Sequence, residues 1–284
     1  MTHYTGLCYV SCVLLLSLLL RNTMPESLLT IHDLTITAQD FSREKIIVSK
    51  VNLDIPSLNI FALVGGSGSG KTTLGLSVLR LLPLGLTLRT GEIKFNGVDV
   101  LTLSDERMRR LRGKEIGMVF QEPLDAFNPV FPIGDQIQEV LKEHLDLNRG
   151  QRQKRILELL DLVGIPDPRR VAQAYPHQLS GGMRQRSMIA QAIAAHPKLI
   201  IADEPTSNLD VTLQVRIMEL FRTLKKEFSL SILLITHDLG MVTHLADSVA
   251  VISRGEIVET GLTREILAAP KQNYTRQLMN AFSV

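Results

Sequence analysis

The sequence predicts an α/β domain with a mixed core sheet and a helical segment inserted between two of its strands. Two continuous apolar runs, Ile60–Val64 and residues 199–202, are typical of strands that are buried on both faces of a sheet. Between about residues 122 and 195 the apolar residues recur with helical spacing instead. The length of 284 residues, with 45% hydrophobic and 21% charged residues, fits a globular protein of one large or two small domains.

After the N-terminal segment, the first third of the chain is predicted to contain four strands and one helix. Alternating apolar residues indicate strands at 28–37 and 46–55, with a polar turn at 39–45. A helix over 73–82 follows Ile60–Val64 and should stop before Pro83 and Gly85, and residues 91–97 form a short strand between turn residues.

Ser104 is predicted to cap the next helix, whose first turn is acidic and whose later turns are rich in arginine. This basic cluster is interpreted as a solvated helix face rather than a nucleic-acid patch. The net charge of only +2 argues against a dedicated nucleic-acid binder, so no nucleic-acid partner is expected. The arginines are Arg107, Arg109, Arg110 and Arg112.

The remainder of the chain alternates strands and helices. A strand over 116–120 ends at Gln121, and helical patterns follow over 133–145 and 156–163, the second of which stops at Gly164. The other predicted elements are a helix over 184–195, a strand over 199–202, a helix over 213–228, a strand over 232–236 and a hairpin of 249–252 with 256–259.

The N-terminus carries an apolar run over 9–20 that is too short to span a bilayer comfortably. A signal peptide would need a positive segment before this run and a small-residue cleavage pattern after it, and both are lacking. Either translation begins at Met24, or residues 1–23 form a membrane-associated leader. The two cysteines, Cys8 and Cys12, cannot form a disulfide framework, which suits a reducing compartment. The predicted division is therefore 1–23, a main domain over 24–265 and a C-terminal tail over 266–284.

The strand Ile60–Val64 leads into the sequence GGSGSGKT at residues 65–72, and a helical pattern follows. Strand, glycine-rich loop and helix are the context of a phosphate-binding loop, in which backbone N–H groups point at a polyphosphate. In such a loop Lys71 reaches the β- and γ-phosphates and the Thr72 hydroxyl binds Mg²⁺.

A second apolar strand ends in two acids, Asp203 and Glu204. In proteins with a phosphate-binding loop this strand lies beside the loop, so both acids emerge near the γ-phosphate. Asp203 is predicted to hold Mg²⁺, and Glu204 to polarise the attacking water. Upstream, Ser180 followed by Gly181 and Gly182 begins a helix and exposes backbone N–H groups, which makes a second candidate anion site.

With these motifs in this order, the chain resembles the nucleotide-binding subunits of ABC transporters over about residues 28–265. Residues 65–72 resemble the Walker A loop, Gln121 the Q-loop glutamine, and residues 179–183 the signature, with Met183 where Gln is more usual. Residues 199–203 resemble Walker B with Glu204 as catalytic base, residues 207–210 the D-loop, and His237 the switch histidine.

Within that family the chain is most similar to the peptide and nickel importer ATPases of bacteria. The likeness lies in residues 120–129, 175–186 and 202–206, and in Ala269-Pro270 with residues 273–275. Peptide members often carry a C-terminal cysteine cluster, which this sequence lacks, whereas nickel-type members are short and resemble it at residues 65–67. Peptide import is the prediction and nickel import the alternative. A soluble ABC ATPase without a transport role is a more distant alternative, because such proteins usually have tandem cassettes or long inserts and this chain has neither.

The resemblance implies a P-loop NTPase fold of the ABC cassette type: a RecA-like mixed core sheet, an N-terminal antiparallel β subdomain and an inserted helical subdomain. It implies ATP and Mg²⁺ at a site shared head to tail by two cassettes, which form a homodimer or a heterodimer. It also implies two transmembrane permease subunits as direct partners and an extracytoplasmic substrate-binding protein as an indirect partner. The implied location is peripheral, on the cytoplasmic face of the inner membrane.

The residue roles implied by the resemblance fall into three groups. The predicted catalytic residues are Glu204, His237 and Gln121, and the predicted metal ligands are Thr72, Gln121 and Asp203. The predicted nucleotide-binding residues are Gly65, Gly66, Ser67, Gly68, Ser69, Gly70, Lys71, Thr72, Thr73, Ser180, Gly181, Gly182 and Asp210.

Two further positions are left with alternatives. The family usually stacks adenine on an aromatic residue after the first strand, where this chain has Ala38; Phe41 either replaces it or fills the turn. Phe127 and Phe131 either line a groove for a cytoplasmic helix of the membrane partner or pack into the core.

Overall fold

Two sheets and their surrounding helices make up the computed structural model, which describes residues 27–40, 43–207 and 209–281. The apolar run at 9–20, Cys8, Cys12, Phe41 and Asn208 lie outside the described residues. The strands are β1 (Ser27–Asp40), β2 (Arg43–Pro56), β3 (Ile60–Val64), β4 (Leu86–Phe95), β5 (Val98–Asp99), β6 (Ile116–Val119), β7 (Leu199–Asp203), β8 (Ser231–Thr236), β9 (Ser248–Ser253) and β10 (Glu256–Leu262). The helices are α1 (Lys71–Val78), α2 (Asp105–Lys114), α3 (Pro123–Ala126), α4 (Ile133–His144), α5 (Arg149–Leu162), α6 (Pro168–Gln173), α7 (Gly181–Ala192), α8 (Val211–Phe228), α9 (Leu239–Leu245), α10 (Thr263–Ala268) and α11 (Asn273–Asn280), with a 3₁₀ turn at Pro176–Gln178.

The first sheet is antiparallel, in the order β2-β1-β4-β5. It confirms the predicted strands at 28–37 and 46–55. The predicted start of the next strand at residue 91 is wrong, because residues 86–90 already pair with β1, from Ala38 opposite Leu86 to Thr35 opposite Thr90. Cross-strand pairing thus extends β4 beyond the turn signals that suggested its limits.

The second sheet has the order β10-β9-β3-β8-β7-β6, with all strands parallel except β10. Together the two sheets confirm the predicted mixed α/β core with an antiparallel β subdomain. The carboxyl ends of β3, β6, β7 and β8 meet at one edge, where polar groups of an open parallel sheet bind ligands.

Both faces of the second sheet are buried, as the continuous apolar runs predicted. Along β3, Ile60 packs into the cluster that includes the inserted helices, whereas Phe61 packs into the cluster under the antiparallel sheet. On β7 the same alternation places Ile200 on the first side and Ile201 on the second. Successive residues of one strand therefore pack into the layers on opposite faces of the sheet.

Between β6 and β7 the chain is helical, as predicted. Ile137 and Leu141 of α4 are fully buried, and so are Leu159 and Leu160 of α5. Gly164 follows α5 with φ +75°, a left-handed conformation that ends a helix at little cost for glycine.

The two candidate groove phenylalanines have different surroundings. Phe127 is 3% exposed and belongs to the core of the helical segment, whereas Phe131 is 51% exposed. Core packing is therefore the right interpretation for Phe127, and Phe131 remains available to a partner.

Helix α1 ends at Val78, not at residue 82 as predicted. The amides of Arg80 and Leu81 donate to the carbonyls of Ser77 and Leu76, and Arg80 has φ +51°. This is the Schellman arrangement that closes a helix, here with a non-glycine residue at the left-handed position. The Arg80 side chain is held by the Leu103 carbonyl and Asp105.

The helix predicted at 184–195 lies instead at Gly181–Ala192, because Ser180 caps it directly: its Oγ accepts from the Met183 amide at 3.4 Å. Ser104 caps α2 in the same way, which confirms that prediction. The arginines of α2 have local partners: Arg110 pairs with Glu106 and Arg109 with Glu143. Within the described residues, no helix combines the length and apolarity that a bilayer span requires.

Candidate active site

The loop after β3 curls around the end of the Lys71 side chain. Gly68 and Gly70 have φ of +73° and +102°, conformations that residues with a side chain rarely adopt. Lys71 is 6% exposed, and its Nζ donates to the carbonyl oxygens of Gly65 and Gly66, both at 2.9 Å. Burial lowers the pKa of Lys71, and the nearby charges of Glu204 and Asp203 partly oppose this.

Beside the loop, the Thr72 hydroxyl donates to Oδ1 of Asp203 at 3.1 Å. Asp203 is 3% exposed, and this burial raises its pKa even though the hydrogen bond from Thr72 acts in the opposite direction. The pair brings a hydroxyl oxygen and a carboxylate oxygen together, and Mg²⁺ prefers oxygen ligands. No cluster of three or more metal-ligating side chains occurs in the described part of the chain, so an ion here would complete its shell with phosphate oxygens and water. The residues present fit Mg²⁺.

Glu204 lies at the centre of a hydrogen-bonded group. Its Oε1 is 3.0 Å from Nδ1 of His237, and its Oε2 accepts from Nε2 of Gln121 at 3.3 Å. Its main chain is fixed as well, since its amide donates to the Ile235 carbonyl at 2.8 Å and its own carbonyl accepts from Ser207 Oγ at 2.9 Å. Glu204 has φ +44°, a left-handed conformation that is strained for a residue with a side chain.

All of these groups except Asp203 face one cavity of about 720 Å³, a volume within the usual range for ligand sites. Asp203 does not line the cavity and is joined to it through its hydrogen bond with Thr72. The predicted residues that line it are Gly65, Gly66, Ser67, Gly68, Ser69, Gly70, Lys71, Thr72, Thr73, Gln121, Glu204 and His237. Loop amides and an ammonium group suit a polyphosphate, and a carboxylate paired with an imidazole can accept a proton from water. The arrangement can therefore support attack of water on a bound phosphate.

The predicted nucleotide-binding residues of the signature and D-loop do not line this cavity. Ser180 caps α7, and Asp210 caps α8 by accepting from the Leu213 amide at 3.0 Å. Gly181 is exposed, and Gly182 lies against Leu213. The predicted site residues thus form two separate groups in the single chain.

Sequence reasoning missed three cavity residues, Lys45, Ile47 and Leu278. It also assigned no role to Tyr274, whose hydroxyl accepts from the Gly66 amide at 3.0 Å. The residues at 273–275 were singled out for their likeness to a subfamily, but no local pattern indicated that the C-terminal helix reaches the loop.

We expect Gly65→Ala to abolish ATP binding and to destabilise the fold. A Cβ at this position would lie 2.2 Å from the backbone carbonyl of Ile252, which cannot move without displacing β9. The loop must shift instead, at a cost of about 1–3 kcal/mol of unfolding free energy. The measurements are ATP affinity by calorimetry and thermal denaturation.

The matched control is Gly150→Ala, where the nearest atom to the new Cβ is 3.5 Å away, so neither quantity should fall. Unchanged ATP affinity in Gly65→Ala would contradict the close contact between loop and sheet.

The chain is similar to known proteins both in sequence and in fold. Residues 48–207, more than half of the chain, match the ABC transporter family model. The chain is 46% identical to the oligopeptide transport ATP-binding protein OppD of Bacillus subtilis over 253 residues, which cover 89% of this chain and 71% of that protein. It is 41% identical to the dipeptide transport ATP-binding protein DppD of the same organism, over 90% of this chain and 77% of that protein.

Among solved structures, the fold is similar to the ATP-binding cassette MJ0796, determined as a dimer in a post-hydrolysis state with bound ADP and phosphate. The TM-score is 0.76 at 27% identity, covering 83% of this chain and 99% of that chain. A second similar structure, cbiO1 from Clostridium perfringens, is part of an ABC transporter complex; its TM-score is 0.73 at 24% identity, over 91% of this chain and 99% of that chain.

Proposed function

Because this chain belongs to the ABC transporter family, and is an ATP-hydrolysing subunit of that family, we propose that it energises the import of di- and oligopeptides into a bacterial cell. The observation that carries this proposal is the identity of 41–46% with transport proteins named for oligopeptides and dipeptides, over nine-tenths of the chain. The residues of the cavity supply the ATPase chemistry.

In the proposed mechanism the loop amides and Lys71 bind the phosphates of ATP. Lys71 leaves the carbonyls of Gly65 and Gly66 to do so, since a phosphate is a stronger partner for an ammonium group than a neutral carbonyl. Glu204 accepts a proton from the attacking water, and His237 and Gln121 hold its carboxylate in place.

Thr72 and Asp203 are the residues that would hold Mg²⁺, with Gln121 nearby. The ion, when bound, neutralises charge on the β- and γ-phosphate oxygens. The direct contact of Thr72 with Asp203 supports this assignment.

Cassettes of this family function as dimers with membrane subunits. For this chain we propose a head-to-tail dimer in which Ser180, Gly181, Gly182 and Asp210 complete the site of the second cassette. None of the four lines the cavity of its own chain, and the helix start at Gly181 is exposed, which supports this arrangement. The second cassette is either a copy of this chain or a related one.

The surface next to Gln121 supports contact with membrane-embedded permease subunits. Four apolar side chains there are between 38% and 68% exposed. They are Phe120, Leu124, Val130 and Phe131. A cytoplasmic helix of a permease seated on this patch would place the chain at the cytoplasmic face of the inner membrane. We also propose that residues 24–265 form the main ATP-binding domain and that about residues 122–195 form its helical insert.

Nickel import is the alternative. The cassette does not contact the transported solute, so its residues do not distinguish a peptide from nickel. To decide, the tagged chain is extracted from its own membranes with the proteins bound to it, reconstituted in vesicles and assayed for ATP hydrolysis. We expect two permease subunits to co-purify, and short peptides to stimulate hydrolysis more than nickel salts do.

Stimulation by nickel alone would support the alternative cargo. Recovery of the chain without any membrane protein would contradict the importer role and favour a non-transport ATPase.

A further inference from the structure

We propose that the C-terminal helix α11 forms a wall of the nucleotide site, and that Tyr274 on this helix positions the first turn of the phosphate loop. The inference rests on the ATP binding of the proposed function and is independent of the cargo. It concerns a part of the chain to which the recognised motifs assign no role.

Helix α11 is fixed to the domain by a buried carboxylate. Glu259 on β10 is 8% exposed and accepts hydrogen bonds from the amides of Lys271 and Gln272, at 2.8 and 3.1 Å. A carboxylate is costly to bury unless it is hydrogen-bonded, so these contacts hold the segment that begins α11 against β10. Apolar contacts add to this attachment, since Tyr274 and Leu278 pack against the cluster that contains Val64 and Val251.

Tyr274 and Leu278 are four residues apart and therefore share one face of α11. From this face the Tyr274 hydroxyl accepts the Gly66 N–H at 3.0 Å, and Leu278 lines the cavity. The helix thus supplies both a polar contact to the loop and an apolar contact to the space beside it.

The Gly66 peptide is held on both sides. Its N–H is bound by Tyr274, and its carbonyl accepts from Lys71 Nζ at 2.9 Å. When Lys71 turns to a phosphate, two contacts remain at this residue: Tyr274 at the N–H, and the Ser69 amide, which donates to the Gly66 carbonyl at 3.3 Å. Of these two contacts, only the one with Tyr274 comes from outside the loop, so the tyrosine fixes the Gly66 peptide relative to α11 and lowers the ordering cost of ligand binding.

This contact depends on glycine at position 66. A Cβ there would lie 3.2 Å from the Tyr274 oxygen, closer than ordinary van der Waals contact, so a side chain would push the hydroxyl away. Gly66 and Tyr274 form a matched pair, and substitutions at the two positions should be coupled.

The test uses the full chain and measures the Kd for ATP together with KM and kcat for hydrolysis. We expect Tyr274→Phe, which removes only the hydroxyl, to raise the Kd and the KM by about 3- to 10-fold, the loss typical of one hydrogen bond. The value of kcat should stay close to that of the wild type, because Glu204 and His237 are not touched. Tyr175→Phe makes the same chemical change away from the cavity and should leave the ATP affinity unchanged.

A double-mutant cycle separates positioning from general support of the fold. Gly66→Ala should weaken ATP binding in the wild-type background and weaken it less in Tyr274→Phe, because phenylalanine lacks the oxygen that the alanine would crowd. An unchanged Kd in Tyr274→Phe overturns the proposal, and so does additivity of the two changes. Failure of the wild-type chain to bind ATP would instead count against the proposed function itself.

Discussion

Glu204→Gln is expected to lower ATP turnover by at least about a hundredfold, the usual contribution of a general base. The amide keeps the size of the side chain but cannot accept the proton from the attacking water. Because Gln121 and His237 still surround the position, the phosphates should bind normally. The variant should therefore accumulate as an ATP-bound dimer, which size-exclusion chromatography with nucleotide analysis would detect.

Glu219→Gln is the matched control, since this residue is an exposed glutamate on α8. Its turnover should equal that of the wild type. Near-normal hydrolysis by Glu204→Gln would show that Glu204 is not the general base.

Gly181→Asp is expected to reduce hydrolysis on the order of a hundredfold or more, comparable to losing a preorganised donor to a developing charge. The change should be harmless within one chain: the nearest atom to a new Cβ is 3.9 Å away, and an acid in the first turn of α7 suits the helix dipole. In the dimer the new carboxylate would face the phosphates held by the other cassette and repel them. Each chain should still bind ATP at its own loop.

Mixing experiments test the shared site directly. Lys71→Met should be inactive because its own loop cannot hold phosphate, while its α7 start remains intact. A mixed dimer of Lys71→Met with Gly181→Asp contains one complete site, so mixing the two inactive proteins should restore hydrolysis. No recovery in a mixture shown to contain mixed dimers would contradict a site built from two chains. Gly150→Asp places the same acid in the first turn of α5 and should leave hydrolysis unchanged.

The grouping of the predicted residues around one cavity was predictable because short local patterns encode it. A strand, a glycine-rich loop and Lys71 predict a phosphate site. A second apolar strand that ends in Asp203 and Glu204 predicts that these two acids lie beside that site. Parallel pairing of the strands then brings these ends together, as the structure shows for β3, β7 and β8. Most strands and helices were also predicted, since their apolar periodicity reflects the face that is buried.

The sequence was less informative where the local structure depends on contacts with residues far away in the chain. The closure of α1 at Arg80 uses a residue without the usual glycine signal, and its side chain is held by a segment more than twenty residues away. The first five residues of β4 are strand because β1 lies beside them. The contact of Tyr274 with Gly66 joins positions 208 residues apart, and no local pattern reports a contact of that kind.

The left-handed backbone at Glu204 has a consequence for the stability of the domain. A residue with a side chain in this conformation costs about 1–3 kcal/mol, and a protein domain is typically stable by only about 5–15 kcal/mol. The hydrogen bonds from its amide to Ile235 and from Ser207 to its carbonyl hold the peptide in place despite this cost. Selection for thermal robustness alone would favour glycine at this position. A glutamate here marks a point where the domain gives up stability to keep a carboxylate directed into the cavity.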